Sequence, residues 1–184
     1  MRLDKAMTVI RRCRESEFDT ILSIINSAAR RYRGVIPDDR WHDPYMSADA
    51  FDAEISAGVE FWGMDEAGTL TGVMGIQHVQ DVLLIRHAYV LPDQQGKGIG
   101  GALLGHLRGR EDRPILIGTW ADAAWAIGFY QRHGFTLVPR NKVPILLRAY
   151  WSIPERQVET SVVLSDSAIE RLDAMRDVSS QPLR

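Results

Sequence analysis

A strand-like run, Ala88-Tyr89-Val90-Leu91, breaks at Pro92 and passes through Asp93-Gln94-Gln95 into Gly96-Lys97-Gly98-Ile99-Gly100-Gly101. Glycine lacks Cβ, so this backbone can turn sharply and let a ligand come close. The helix predicted to open here presents amide N–H groups that have no internal partner, at the positive end of its dipole. That combination suits a diphosphate, and Lys97 adds a mobile positive charge. The loop G-x-x-x-x-G-K-[ST] is excluded, because Gly98 follows Lys97. Gly96, Gly98 and Gly101 do fit the dinucleotide pattern G-x-G-x-x-G. The surroundings argue against it: helices and a hairpin precede the turn, and the next apolar run ends in Thr119-Trp120 instead of an acidic residue.

The second informative segment is Ala126-Ile127-Gly128-Phe129-Tyr130-Gln131-Arg132-His133-Gly134-Phe135. Trp125, Ala126, Phe129 and Tyr130 form an apolar face along it, which by itself suits a core position.

These segments must be held by a mixed α/β scaffold. Residues 8–13 read as a strand. Phe18, Ile21, Leu22, Ile25, Ala28 and Tyr32 predict an amphipathic helix over 17–32, with Ser16 as N-cap and Asp19 as its capping-box partner. Gly34, Pro37 and Pro44 break the next segment into loop. Ser47 caps a second helix that ends near Gly58, with Met46 and Phe51 as a hydrophobic staple. VEFWGMD and TLTGVMGIQHV form a hairpin around Asp65-Glu66-Ala67-Gly68, and DVLLIRHAYVL is a third strand. Ile99, Leu103 and Leu107 mark a helix core face, and PILIGTW reads as a buried parallel strand. Asp122 caps the helix of Tyr130, Gly134 supplies its left-handed end, and FTLV is strand again. YWSIPERQ reads as irregular and QVETSVVL as a last strand. Residues 166–184 are a polar tail with a helical fragment at Ile169, Leu172 and Met175. One domain over 1–165 fits this order.

The 184 residues carry 22 basic and 24 acidic side chains, a net charge of −2 that argues against a nucleic-acid partner. No run is long and apolar enough to span a bilayer, and the N-terminus lacks a secretion signal. Cys13 is the single cysteine. An internal disulfide is therefore excluded and a reducing cytoplasm is the expected compartment.

Gln95-Gly96-Lys97-Gly98-Ile99-Gly100 resembles the Q/R-x-x-G-x-G/A signature of the GNAT superfamily of N-acetyltransferases, preceded by V-x-P at Val90-Leu91-Pro92. The segment from Ala126 to Phe135 resembles that family's A-x-x-F-Y helix followed by G-F, and the likeness runs from about residue 8 to 164. The resemblance implies a mixed sheet whose N-terminal strands are antiparallel, a splayed central parallel pair at 82–91 and 115–120, and helices on both faces. It implies acetyl-CoA as co-substrate and no metal. The pantetheine arm would meet the backbone of Ala88 and Val90, with the Val90 N–H on the acetyl oxygen. The diphosphate would take the N–H groups of Gly96, Lys97, Gly98, Ile99 and Gly100, with Gln95 at the loop entrance. Tyr130 would protonate the departing thiolate. Ala123 departs from the family, many of whose members carry Asn there for the pantetheine.

The resemblance implies an amine as acceptor. A family base often shares the parity of Val90 on its strand, but those positions are Leu84 and Arg86, neither of use as a base. His87 enters only if a bulge flips the alternation. His78 and Glu60 are the other candidates, with water as a further one. Arg86 facing the site would favour a carboxylate-bearing substrate, and it would otherwise pair with Asp81 or Glu60. Tyr45, with Tyr32, Arg33 and His42, lies where the family builds its acceptor wall. Trp151 and Arg156 either close that pocket or cover the sheet edge. A homodimer through the C-terminal strand is compatible with the resemblance. A non-catalytic acyl-CoA-binding or regulatory module on the same scaffold is the alternative.

Overall fold

The structure is a computed structural model that describes residues 8–167. The helical fragment expected at Ile169, Leu172 and Met175, with nearly all of the expected tail, lies outside the described residues. The fold is a mixed α/β sheet with the strand order β1 (Thr8–Arg12), β2 (Glu60–Glu66), β3 (Thr69–Val79), β4 (Val82–Val90), β5 (Ile115–Trp120), β7 (Ser161–Ser165) and β6 (Thr136–Leu137), antiparallel at its start and with a parallel pair, surrounded by helices. Its residues cluster into two compact units. One takes in the described residues up to Gln77 and Ile85–Glu111; the other takes in His78–Leu84 and the chain from Asp112 onward.

In the first unit, β1 (Thr8–Arg12) and β3 (Thr69–Val79) flank β2 (Glu60–Glu66), both antiparallel to it. The β2–β3 loop is tighter than the sequence suggests. Asp65 and Glu66 stay in the strand, and only Ala67 (φ 53°) and Gly68 (φ 89°) turn. Positive φ at both central residues matches the right-handed twist of the flanking strands. The Asp65 carboxylate accepts from the Gly68 N–H at 2.6 Å and secures the turn. β3 is buried without interruption from Leu70 to Ile76, as a strand covered on both faces requires.

Helix α1 (Phe18–Ala29) is shorter than the expected 17–32, because Arg30–Tyr32 tighten into a 3-10 turn. Its start also differs. The Glu17 carboxylate accepts from the Arg14 N–H at 2.7 Å and from Arg11, so Glu17 closes the turn that Ser16 and Asp19 were expected to close. Helix α2 (Ala48–Ser56) begins as predicted, with Ser47 Oγ accepting from the Ala50 N–H at 3.1 Å. Phe51 of α2 joins the layers, its ring 4.7 Å from that of Phe18 and 5.1 Å from that of Phe61. Around it lie Ile21, Ile24, Ile25, Met46, Leu70 and Val73, the core of this unit.

The second unit begins with the first residues of β4 (Val82–Val90), where the Leu83 N–H bonds to the Pro114 carbonyl just ahead of β5 (Ile115–Trp120). α4 (Ala124–Arg132) follows β5, and β6 is shorter than FTLV, reduced to Thr136–Leu137. Helix α5 (Val143–Tyr150) is an element the sequence reading did not include. Val143, Leu146, Leu147 and Tyr150 follow at i, i+3, i+4 and i+7, a legible signal. All four join Val82, Leu84, Leu116 and Val163 in the core of this unit. Within the run expected as a last strand, α6 (Glu155–Glu159) comes first and β7 (Ser161–Ser165) starts later, antiparallel to β5 and β6.

Candidate active site

β4 ends at Val90, a 3-10 turn occupies Pro92–Gln94, and α3 (Ile99–Arg108) opens behind two left-handed glycines. Gly96 has φ 79° and Gly98 has φ 83°, and a Cβ at either would meet no atom within 4 Å. The glycines are therefore required by backbone conformation, and the space above them is open to a ligand. Gly98 is the N-cap, and the first α-helical bond runs from the Ala102 N–H to its carbonyl. The N–H groups of Ile99, Gly100 and Gly101 precede that bond and have no partner inside the helix. Ile99 is the anchor of this end: its side chain is buried among apolar residues while Gln95, Gly96, Lys97 and Gly98 are exposed. Gln95 has a definite task, donating through Nε2 to the Val90 carbonyl at 3.1 Å and tying the loop back to the strand end. Lys97 Nζ rests on Gln94 Oε1 at 2.7 Å, on the surface.

The direction of the β4 amides follows from one bond. The Leu91 N–H donates to the Thr71 carbonyl on β3 at 3.0 Å. Successive strand amides alternate sides, so Val90, and Ala88 before it, present their N–H groups away from β3.

His87 interrupts β4 with φ 50°. Adjacent residues of a regular strand point to opposite faces, yet Arg86 and His87 both reach Glu54 of α2. Arg86 Nη2 lies 2.8 Å and His87 Nε2 lies 3.1 Å from Glu54 Oε2. Arg86 Nη1 also donates to Gln77 Oε1 at 2.9 Å. Arg86 thus has Glu54 and Gln77 as partners in place of the expected Asp81 or Glu60. Burial pulls its guanidinium below the usual arginine range against the opposing pull of Glu54. For Glu54, burial pushes upward, but His87 and Arg86 beside it prevail and hold the carboxyl below its ordinary value. The left-handed φ takes His87 out of regular strand alternation, and its Nε2 lies at ion-pair distance from Glu54 Oε2 without hydrogen-bond geometry.

The other expected residues are more dispersed. Glu60 pairs with Arg12 at 3.3 Å on the surface. His78 is exposed and falls in the second unit, where Asp81 accepts from the Tyr150 hydroxyl at 2.9 Å. Tyr45 lies in an aromatic chain: its ring is 5.8 Å from that of Trp41 and 5.7 Å from that of Tyr32, which stands edge-on to Tyr89 of β4 at 6.5 Å. Asn26 of α1 fixes this loop by donating to the Met46 carbonyl and accepting from the Met46 N–H, at 2.9 and 2.8 Å. A pocket of about 200 Å³ lies beside it, lined by Ser23, Asn26, Arg30, Trp41, Asp43 and Tyr45 among others.

In the second unit, the Phe135 N–H reaches the Tyr130 carbonyl and the Gly134 N–H reaches that of Gln131, both at 3.1 Å, with Gly134 at φ 84°. This is a Schellman closure, and the Tyr130 and Phe135 rings pack 6.0 Å apart across it. Tyr130 is 7% exposed, with Phe129 also against it at 5.0 Å. The helix N-cap is Ala123, without the expected side-chain cap from Asp122, and Ala123 is fully covered by protein. Trp151 lies across Gly118 of β5, its ring 3.3 Å from where a Cβ would stand. Among the described residues, no group of three His, Cys, Asp or Glu side chains is placed to hold a metal ion, and no helix is long and apolar enough to cross a membrane.

A mixed sheet whose fourth strand leads through left-handed glycines into a helix defines the class, an α/β protein. Its fold is that of the GNAT acetyltransferases, and residues 57–137, from the end of α2 to β6, match the model of the acetyltransferase (GNAT) domain. Among solved structures, PaiA N-acetyltransferase from Thermoplasma acidophilum, in complex with coenzyme A, is 15% identical with a TM-score of 0.64; the match covers 88% of this chain and 99% of that one. The ribosomal-protein-S18-alanine N-acetyltransferase of Escherichia coli is 21% identical with a TM-score of 0.60, covering 86% and 92%. A GNAT family acetyltransferase from Brucella melitensis, in complex with acetyl-CoA, is 24% identical with a TM-score of 0.53, covering 71% and 84%. Among curated proteins the sequence finds no match.

Proposed function

We propose that this protein is an N-acetyltransferase that moves the acetyl group of acetyl-CoA to a primary amine within a ternary complex. The observation that carries the reading is the glycine-opened helix at Gly98, inside the segment that matches the GNAT domain. The N–H groups of Gly96 to Gly100 hold the diphosphate, and those of Ala88 and Val90 serve the pantetheine and the acetyl oxygen. The amine nitrogen attacks the thioester carbon, the C–S bond breaks, and the Tyr130 phenol gives its proton to the sulfur while the amine sheds one to a base or water. Tyr45 belongs to the acceptor wall. Arg86 is held by Glu54 and Gln77, which supports a place behind the site rather than against a substrate carboxylate. The reading extends to a cytoplasmic compartment, supported by the single cysteine, and to a small-molecule or peptide acceptor. It includes no nucleic-acid or membrane partner, and a homodimer is compatible with it.

A second reading has one observation in its favour: the burial of Tyr130 and Ala123 suits a non-catalytic acyl-CoA-binding module. Calorimetry with acetyl-CoA and a thiol-release assay over an amine panel separate the two. The enzyme reading expects turnover, with Tyr130→Phe slower by about 10²–10⁴-fold at unchanged CoA affinity. CoA binding without turnover of any amine favours the module. Thermal stabilisation by NAD or FAD but not by CoA would return the site to the dinucleotide class.

A further inference from the structure

In the first unit, His87 carries a positive φ inside a strand, one residue before Ala88. A non-glycine residue at φ 50° within a strand is strained and persists only where its surroundings over-determine it. Three contacts do so here. Glu54 accepts from Arg86 Nη2 through Oε1 at 2.9 Å, and its Oε2 stands 2.8 Å from that nitrogen and 3.1 Å from His87 Nε2. Gln77 holds the other arm of Arg86 at 2.9 Å. Gly75 on β3 leaves the room: a Cβ there would stand 2.9 Å from the Arg86 carbonyl oxygen, so only glycine fits beneath the displaced strand. Phe61 covers the imidazole, ring to ring at 6.0 Å.

We propose that Glu54 is a positioning residue: through Arg86 and His87 it locks the left-handed turn of β4 and so sets the direction in which Ala88 and Val90 present their amides. This deepens the acetyltransferase reading and rests on it. An N–H contributes to catalysis only when aimed where the oxyanion forms, and a regular strand through residue 87 would reverse the alternation of every residue after it. The imidazole serves as a handle for the backbone and is not the base. Its Nε2 faces Glu54 at 3.1 Å, the carboxylate that also neutralises half-buried Arg86.

The test compares His87→Gly, His87→Val, Glu54→Gln and the double variant Glu54→Gln/His87→Gly, each by kcat, KM for acetyl-CoA, pH profile and CoA calorimetry. Glycine adopts positive φ without a clamp, so His87→Gly keeps kcat within about threefold and leaves the pH profile unchanged. Valine resists that conformation, and His87→Val lowers kcat by about 10–100-fold. CoA affinity stays near wild type in both, because Gly96 to Gly100 are untouched. Glu54→Gln lowers kcat about tenfold, and adding His87→Gly restores most of it. A merely structural ion pair would not be rescued that way, since Arg86 remains uncompensated. If Glu54→Gln does not fold, the two His87 variants still decide. Equal damage in His87→Gly and His87→Val, or a lost limb in the pH profile of His87→Gly, overturns the clamp and makes the imidazole a participant. A wild type that binds no CoA overturns the acetyltransferase reading instead.

Discussion

Replacing Gly72 by alanine probes how the sheet sets the start of α3, where the acetyltransferase reading puts the diphosphate. Gly72 sits on β3, where an added Cβ would stand 2.8 Å from Ile99 Cγ2, 3.1 Å from Val90 Cγ2 and 3.3 Å from the Tyr89 carbonyl oxygen. The closest approach falls about 0.6 Å short of an ordinary 3.4 Å contact. Ile99 cannot absorb this by swinging a flexible end, because Cγ2 is bonded directly to a branched Cβ and the side chain is buried. Its backbone must shift, and Ile99 is the first residue of α3. Overpacking of this size costs about 1–3 kcal/mol. At roughly 2–4 °C per kcal/mol for a chain of this length, Tm falls by about 2–12 °C. A misdirected N–H also weakens a charge-assisted hydrogen bond worth about 1.5–3 kcal/mol, so CoA affinity falls about 10–100-fold. Gly105→Ala is the control. It lies on the same helix with nothing within 4 Å of its Cβ, and alanine there gains about 0.5–1 kcal/mol. Scanning fluorimetry and calorimetry on the two variants decide the matter. The reasoning fails if Gly72→Ala melts and binds CoA like the wild type, and the link to the ligand fails if only Tm moves.

Arg11 bonds Glu17 at 2.6 Å and Asp65 at 2.8 Å; chiefly through that hydrogen bond, the Glu17 carboxyl is held at about 2 against its ordinary 4.5. A depressed carboxyl contributes stability that is complete above 4.5 and lost as pH falls through about 2, so urea midpoints should drop across that window and Arg11→Met should flatten the drop. Burial pushes the Cys13 thiol up to about 12, and native-state alkylation near pH 8 should run about three orders of magnitude slower than for a free thiol. A rate equal to that of the unfolded chain would contradict the burial. Asn26→Ala leaves the N–H and carbonyl of Met46 without their partner, costing about 1–3 kcal/mol by denaturant titration. On the acetyltransferase reading it should also raise the KM of the amine, and an unchanged value would detach Tyr45 from the acceptor wall.

The features that sequence reading located correctly depend on neighbours along the chain. The sharp turn through Gly96 and Gly98, the left-handed Gly134 and the Ser47 cap answer to backbone conformation and to amides within a turn, so residue type and offset suffice. The fold class follows from the same logic, since the periods of its strands and helices are written in their apolar residues. Errors appeared where two local solutions compete: Glu17 closes the turn offered to Ser16 and Asp19, and α6 occupies the start of a run that alternates like a strand.

Glu54 marks the boundary between what the chain declares and what its folding decides. Nothing in ADAFDAEIS distinguishes it from Asp49 or Asp52, and its partner Arg86 lies 32 residues away. Only when α2 packs on β4 does one carboxylate meet a guanidinium and an imidazole from consecutive residues, and only Gly75 beneath them lets the strand bend. The chain alone determined that a helix opens on glycines after a strand, because that needs no distant contact. The aim of the Ala88 and Val90 amides came from tertiary structure, because a strand's alternation is reset by whatever grips its side chains.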